Sequence, residues 1–168
     1  MLFEIERKFL VAHDGWRAAA VGGRLLRDGL VGPYHTSKVR VRLDGERAWL
    51  TVKGPRKGLG RLEFEYEIPS DDADEMLRSV CQGEQVEKIR HNVFHDGLKW
   101  EVDVYQGSLS GIVLAEVELQ REDQPFSKPD WVGQEVSGDP RFKKAAMLKL
   151  RRQVGRPLTI SGILSASP

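Results

Sequence analysis

Seven segments of this 168-residue chain alternate charged and apolar side chains with a period of two. Successive side chains of a β-strand point to opposite faces, so each segment predicts a strand with one charged face and one apolar face. The segment 61–68 shows this pattern most clearly. The charged faces of the seven strands together carry Glu4, Glu6, Lys8, Arg40, Arg42, Lys53, Arg61, Glu63, Glu65, Glu67, Lys88, Arg90, Glu101, Asp103, Glu116 and Glu118.

These charged faces can be interpreted in two ways. An antiparallel sheet packed on one core also alternates, with a polar face turned to water. Such faces usually carry Thr, Ser and Gln freely, whereas here full charges occur in like-signed pairs two residues apart, such as Glu4/Glu6 and Arg40/Arg42. Like charges this close repel each other unless a ligand of opposite sign neutralises them. Paired acids therefore indicate a bound cation, and paired bases indicate a bound polyanion.

A closed antiparallel barrel with its charged faces inward would bring both kinds of pair into one cavity. The apolar faces would then point outward, covered by three helices that capping and turn residues predict near residues 14–20, 70–81 and 139–152. Such a cavity suits a chain of phosphates with a divalent metal. Carboxylate oxygens favour Mg²⁺ or Mn²⁺ over metals that prefer softer ligands.

The composition is that of a soluble domain rather than a membrane or nucleic-acid-binding protein. The 26 basic and 25 acidic residues leave a net charge of +1, so the molecule as a whole does not attract nucleic acid. No apolar run reaches membrane-spanning length, and the first residues lack a signal-peptide pattern. Cys81 is the single cysteine, which fits a reducing compartment. We therefore expect a cytoplasmic protein with one domain over residues 1–154 and a flexible tail over residues 155–168.

The order of the charged motifs resembles that of a known family. Glu4-Ile-Glu-Arg-Lys8 is similar to the Glu-x-Glu-x-Lys signature of the CYTH domain, whose members are also called triphosphate tunnel metalloenzymes. The resemblance extends from about residue 2 to residue 150. The further motifs that match in order are Val39-Arg-Val-Arg42, Leu50-Thr-Val-Lys-Gly54, Arg61-Leu-Glu-Phe-Glu-Tyr-Glu67, Lys88-Ile-Arg90, Trp100-Glu-Val-Asp103, Leu114-Ala-Glu-Val-Glu-Leu119 and Pro129-Asp-Trp-Val-Gly133.

The resemblance implies an α+β fold, in which an eight-stranded antiparallel barrel forms a tunnel and helices lie outside it. Members of the family hydrolyse or rearrange triphosphates: inorganic tripolyphosphate, thiamine triphosphate, RNA 5′-triphosphate ends, or ATP on the way to cyclic AMP. The chain resembles most closely the compact bacterial members, which are mainly inorganic triphosphatases. The implied substrate is thus a small polyanion, the implied cofactor is Mg²⁺ or Mn²⁺, and a homodimer is possible.

The resemblance also implies a role for each charged position. Glu4, Glu6 and Glu118 would be the primary metal ligands. The acids that would lie near them, assist a second metal or orient the bases are Glu63, Glu65, Asp103 and Glu116. The bases that would grip the phosphates are Arg40, Arg42, Lys53, Arg61, Lys88 and Arg90. Lys8 would lie near the phosphate and the attacking water, and either Glu116 or Glu118 would accept the proton of that water.

Two positions depart from the family pattern. Related triphosphatases often carry a tyrosine on the second strand that pairs with the signature lysine, whereas Leu30 stands here and has no hydroxyl. The closing helix often begins Arg-Tyr-x-Asn, whereas it begins Arg141-Phe-Lys-Lys144 here. Alternatives to inorganic triphosphate hydrolysis are an adenylate cyclase, a thiamine triphosphatase, and a module that binds polyphosphate or nucleotide without turnover. A cyclase must also hold adenine, and no aromatic residue stands out as a platform for the base, since Trp49 could either reach the tunnel face or simply pack.

Overall fold

The computed structural model describes residues 3–31 and 37–167. The strands are β1 (Phe3–Val11), β2 (Ala20–Val31), β3 (Lys38–Asp44), β4 (Arg47–Lys53), β5 (Gly60–Ile68), β6 (Cys81–His95), β7 (Leu98–Tyr105), β8 (Val113–Glu118) and β9 (Val132–Glu135). The α-helices are α1 (Ser70–Ser79), α2 (Lys144–Val154) and α3 (Ile160–Leu164), and short 3₁₀ helices span Asp14–Ala19, Gly107–Leu109 and Pro140–Phe142. None of the helices in the described ranges is long and apolar enough to span a membrane.

Eight strands close into an antiparallel barrel in the order β5-β4-β3-β2-β6-β7-β8-β1. The ring closes at β1, whose residues 3–5 pair with β5 while its residues 6–10 pair with β8. The ninth strand, β9, which the alternation did not predict, extends the barrel beside the end of β1. The predicted closed eight-stranded barrel with outer helices is therefore confirmed.

The register of the strands turns the charged faces into the lumen. Glu6 pairs directly with Glu118 and Lys8 with Glu116, so these side chains share one face of the sheet. The apolar faces point outward, where Phe9, Trp100 and Val117 form one cluster with Trp16 of the first 3₁₀ helix and with Trp131. Elsewhere, α1 packs Ala73 and Leu77 against β3 and β4. Burial of the apolar faces by these flanking elements holds the charged faces inward.

One end of the lumen is filled by the C-terminal helices. Leu10 and Leu114 pair two residues beyond Lys8 and Glu116, so they face inward as well. Together with the inward-facing Val86 and Tyr105 they form an apolar cluster, called here the plug. The residues that complete the plug include Leu109, Ile112, Val136, Phe142, Met147, Leu148, Leu158 and Ile163. The plug separates this end of the charged lumen from solvent.

The segment after residue 154 is ordered, so the prediction of a flexible tail over residues 155–168 is wrong for most of its length. Leu158 and Ile163 are buried in the plug, and the Thr159 hydroxyl caps α3 by accepting a hydrogen bond from the Gly162 amide. Arg141 donates a hydrogen bond to the carbonyl of Leu164. The segment is rich in Gly, Ser and Pro, but its few apolar side chains cover the plug, and their burial compensates for the lost chain entropy.

We therefore expect Ile163→Ala to destabilise the protein strongly. Ile163 is 0% exposed, and truncating such a side chain to alanine costs about 2–5 kcal/mol because a cavity remains. Val154→Ala, at a half-exposed position at the end of α2, is the matched control and should change stability far less. The measurement is chemical denaturation of both variants; equal midpoints would show that the C-terminal segment does not contribute to the core.

Candidate active site

The acids of β1 and β8 face each other across one strand pair. Glu6 and Glu118 are direct cross-strand partners, and within the described ranges neither side chain forms an ion pair or hydrogen bond with another side chain. Burial raises the pKa of Glu6, and the nearby Glu116 carboxylate raises it further. The pKa of Glu118 is raised by its partial burial, and then by Glu101 and Glu4. Among the described residues no base forms an ion pair with these two carboxylates, which are called here the acid pair.

Lys8 lies beside the acid pair but is bound to a third carboxylate. Its Nζ is 3.0 Å from Oε1 of Glu116. Burial favours the neutral amine, yet Glu116 and Glu6 together hold the pKa of Lys8 above its ordinary value. Leu30, at the position where the family often has tyrosine, faces the lumen beside Arg40 according to the strand register. Glu116 is therefore the group that anchors the charged Lys8 here.

Glu4 lies two residues from Glu6 and contacts the bases of the opposite edge of β1. Arg61 donates to it at 2.8 Å, and Nζ of Lys53 lies 3.2 Å from Oε1. Lys53 also forms an ion pair with Glu63. Partial burial opposes the charge of Glu63, but its contacts with Glu4 and Lys53 outweigh burial and lower its pKa. Glu4 therefore links the acid pair to the predicted phosphate-binding bases.

The bases of β3 are held by polar groups on both sides. Arg40 donates to the Thr51 hydroxyl at 3.0 Å and lies 3.5 Å from Glu65. Thr51 in turn donates to Glu65 at 3.0 Å. Burial lowers the pKa of Arg40, with the neighbouring Arg42 adding to the effect. An arginine that lies beside a second arginine, with its carboxylate partner 3.5 Å away, is well placed to bind an added anion.

The most deeply buried charges lie on β6, β7 and β8. Arg90 donates two hydrogen bonds of 2.7 Å to Asp103 and one of 2.9 Å to Glu116, and it also contacts Glu101. Lys88, 1% exposed, forms an ion pair with Asp103, which is 0% exposed. Burial lowers the pKa of Lys88 to about 7, and the charge of Arg90 contributes. This network fixes the bases in place before any ligand binds.

Two lumen residues were missed in the sequence analysis. Asp28 of β2 accepts two hydrogen bonds from Arg42, at 2.7 and 2.9 Å, and one from Lys144 at 2.8 Å. Asp28 was overlooked because it is a single acid on a mostly apolar strand; the available signal was its two-residue spacing from Leu26 and Leu30, which puts the three side chains on one face. Lys144 was noted only as part of a departure from the family's usual helix start and was given no role in the site. The closing helix therefore reaches the lumen through Lys144, which contacts Asp28. Arg141, in contrast, pairs with Asp139.

The donor set fits a hard divalent cation at one place. Carboxylate oxygens are the ligands that Mg²⁺ and Mn²⁺ prefer, and in the described ranges the acid pair forms no ion pair with a base. Glu4 is adjacent, but Arg61 and Lys53 hold it, and among residues 3–31 and 37–167 no three acidic, histidine or cysteine side chains converge closely enough to enclose a metal. Asp103 and Glu116 are each bound by at least two bases, which makes them less available as ligands.

The model of the CYTH domain family matches residues 2–156 of the chain. The chain belongs to the CYTH family. An inorganic triphosphatase of Acetivibrio thermocellus is 43% identical to this CYTH protein over 146 residues, which are 87% of this chain and 93% of the relative. An inorganic triphosphatase of Nitrosomonas europaea is 41% identical over 150 residues, 86% of this chain and 95% of the relative. A solved inorganic triphosphatase structure is similar with a TM-score of 0.60 and 34% identity, covering 88% of this chain and 95% of that one.

Proposed function

We propose that this CYTH protein is a divalent-metal-dependent inorganic triphosphatase that splits tripolyphosphate into pyrophosphate and phosphate. The observation that carries the proposal is the acid pair, Glu6 and Glu118, which forms no ion pair among the described residues, in a lumen whose other acids, such as Glu4, Asp103 and Glu116, are bound to bases. A cation and a polyanion bound together would neutralise both walls. The names of the two relatives and of the solved structure support the choice of inorganic triphosphate.

We divide the acids into two groups by the role proposed for them. Glu4, Glu6 and Glu118 would hold Mg²⁺ or Mn²⁺, which would supply positive charge next to the phosphoryl group being transferred. Asp103 and Glu116 would hold the bases, since each already accepts hydrogen bonds from Arg90. We assign Glu63 to positioning Lys53, and Glu65 to positioning Arg40 and Thr51.

The bases would neutralise the charge that develops on the transferring and leaving phosphates. Phosphoryl transfer depends mainly on positioning and electrostatic stabilisation, and these side chains are already held by carboxylates on neighbouring strands. We assign this role to Lys8, Arg40, Arg42, Lys53, Arg61, Lys88 and Arg90. Substrate binding would then exchange carboxylate contacts for phosphate contacts.

Of the two candidate proton acceptors, Glu118 fits better. Although burial opposes its charge, Lys8, Lys88 and Arg90 hold the pKa of Glu116 well below its ordinary value, which makes Glu116 a weak base. In the metal-free protein the pKa of Glu118 is raised by partial burial and nearby acids, so Glu118 binds a proton more readily than Glu116 does. We therefore assign Glu118 to accept the proton of the attacking water, and Glu116 to hold Lys8.

The proposal predicts phosphate and pyrophosphate release from tripolyphosphate when Mg²⁺ or Mn²⁺ is supplied, and none after chelation. The test is a panel of tripolyphosphate, thiamine triphosphate and ATP, with products separated by ion-exchange chromatography. A preference for thiamine triphosphate would change the assigned substrate. Cyclic AMP and pyrophosphate from ATP would identify a cyclase, and binding without any product would identify a sensor module.

The cellular location and the oligomeric state of the enzyme are also part of the proposal. A single half-buried cysteine and a small soluble anion as substrate agree with a cytoplasmic location. A homodimer stays a prediction from the family resemblance, and sedimentation of the purified chain would test it.

A further inference from the structure

The Asp28 cluster, which consists of Asp28, Arg42 and Lys144, lies across the barrel from the acid pair. In the ring of eight strands, β2 is four positions from β1, so the two strands form opposite walls. The contacts of Asp28 are to bases: two hydrogen bonds from Arg42 and one from Lys144. Asp28 therefore belongs to the basic wall and is separate from the carboxylates assigned to the metal.

The Asp28 cluster marks the boundary between the charged lumen and the plug. Asp28 pairs in register with Val86, and Val86 is buried in the plug with Met147 and Leu148 of α2. Lys144 is the first residue of that helix. A chain of phosphates cannot continue past this point, because the inward side chains beyond it are apolar and closely packed.

Asp28 carries a fixed negative charge among the bases. It is 5% exposed, and although burial opposes its charge, Lys144 and Arg42 hold its pKa well below the ordinary value. Its carboxylate takes up hydrogen-bond donors of Arg42 and Lys144 that a phosphate oxygen would otherwise use. The cluster thus has a net charge of +1 from two bases and one acid, which is less than the bases alone would provide.

We propose that Asp28 and Lys144 form an end stop that determines the preferred length of the polyphosphate chain. This inference rests on the proposed function, because it concerns the same lumen. Asp28 repels a phosphate placed beyond the third one and keeps Arg42 and Lys144 from binding it. Lys144 supplies the compensating charge that allows Asp28 to be buried. The pair acts on selectivity rather than on the chemical step.

The test compares binding of inorganic tripolyphosphate and inorganic tetrapolyphosphate by titration calorimetry on the full chain with chelator present. Asp28→Asn keeps the shape and removes the charge, so we expect the ratio of the two dissociation constants to shift towards tetrapolyphosphate by about five- to tenfold, as expected for a unit charge near a bound phosphate. Lys144→Gln should shift the ratio in the opposite direction. Lys149→Gln, at an exposed lysine of the same helix, is the control and should leave the ratio unchanged.

Each outcome supports or overturns the end stop. Opposite shifts in the Asp28 and Lys144 variants support it, while a ratio that stays within twofold in folded variants, or equal tightening for both ligands, overturns it. If Asp28→Asn fails to fold, Lys144→Gln decides alone, since its side chain is partly exposed. The titration needs no turnover. A wild-type protein that binds polyphosphate without hydrolysing it would therefore refute the proposed function, and the ratio of the two dissociation constants would still test the end stop. Wild-type protein that binds neither ligand refutes both.

Discussion

Replacing Glu6 by glutamine is expected to abolish triphosphate turnover while raising the thermal stability of the metal-free protein. The loss of activity follows from its proposed role, since one of the two carboxylates of the acid pair becomes a neutral amide. A metal that stabilises charge in the transition state contributes several kcal/mol, so we expect kcat/KM to fall by about 10²–10⁴-fold.

The gain in stability follows from the environment of Glu6. Burial and Glu116 raise the pKa of Glu6 in the folded state, so the folded state binds its proton more tightly than the unfolded state does. The contribution of Glu6 to the stability of the wild-type protein therefore falls as the pH rises above the unfolded value of about 4.3. Glutamine has no charge to lose, so the variant should be more stable at neutral pH, and its advantage should disappear as the pH falls towards 4.

The measurements are tripolyphosphate turnover with Mg²⁺ and thermal unfolding with chelator at pH 4 and pH 7.5. Glu67→Gln is the matched control, because Glu67 is exposed and paired with Arg47 at the end of β5. The control should keep full activity and show no gain in stability. Unchanged turnover in Glu6→Gln would remove Glu6 from the metal site.

Replacing Arg90 by methionine is expected to cause the largest loss of stability among single changes in the lumen. Arg90 contacts three carboxylates, those of Glu101, Asp103 and Glu116, and two of these are buried. Removing one partner of a buried ion pair leaves uncompensated charge and costs about 3–5 kcal/mol. Substrate binding should weaken as well, because a phosphate-binding base is lost and Asp103 no longer accepts the two hydrogen bonds of the Arg90 guanidinium.

The loss of stability in Arg90→Met should depend on pH with a definite sign. In the wild-type protein the pKa of Asp103 lies below its ordinary value, because Lys88 and Arg90 outweigh burial. Without Arg90 the folded-state pKa values of Asp103 and Glu116 rise. The variant therefore loses most stability at pH values at which both carboxylates are ionised. We expect the difference from wild type to be large at pH 8 and to shrink as the pH falls towards 4.

Urea denaturation at both pH values tests this expectation. Arg47→Met is the control, since Arg47 makes a similar two-bond contact with Glu67 in an exposed position and should change stability little. In Arg90→Met combined with Asp103→Asn, part of the lost stability should return, because one of the three carboxylates that Arg90 neutralised is removed. A loss that is the same at pH 4 and pH 8 would contradict the electrostatic explanation.

Local alternation made the strands and their faces predictable. In Arg61–Ile68 the period of two is complete, and β5 spans Gly60–Ile68. Short elements without alternation were harder: β9 has only four residues, and no period can be recognised over that length. The C-terminal segment was misjudged for a related reason. Its composition is typical of a loose tail, and only contact with the plug shows that Leu158 and Ile163 are buried.

By itself, the sequence determined that charged and apolar faces alternate along the strands and that a closed barrel can bring the charges together, because side-chain direction along a strand depends only on local geometry. Only the tertiary structure decided which charges meet. Glu6 and Glu118 are 112 residues apart, and Asp28 and Lys144 are 116 residues apart. Register and barrel closure set these partners, and both depend on contacts that no local pattern encodes. For the same reason, Glu116 forms ion pairs with Lys8 and Arg90, while the acid pair forms none with the described residues.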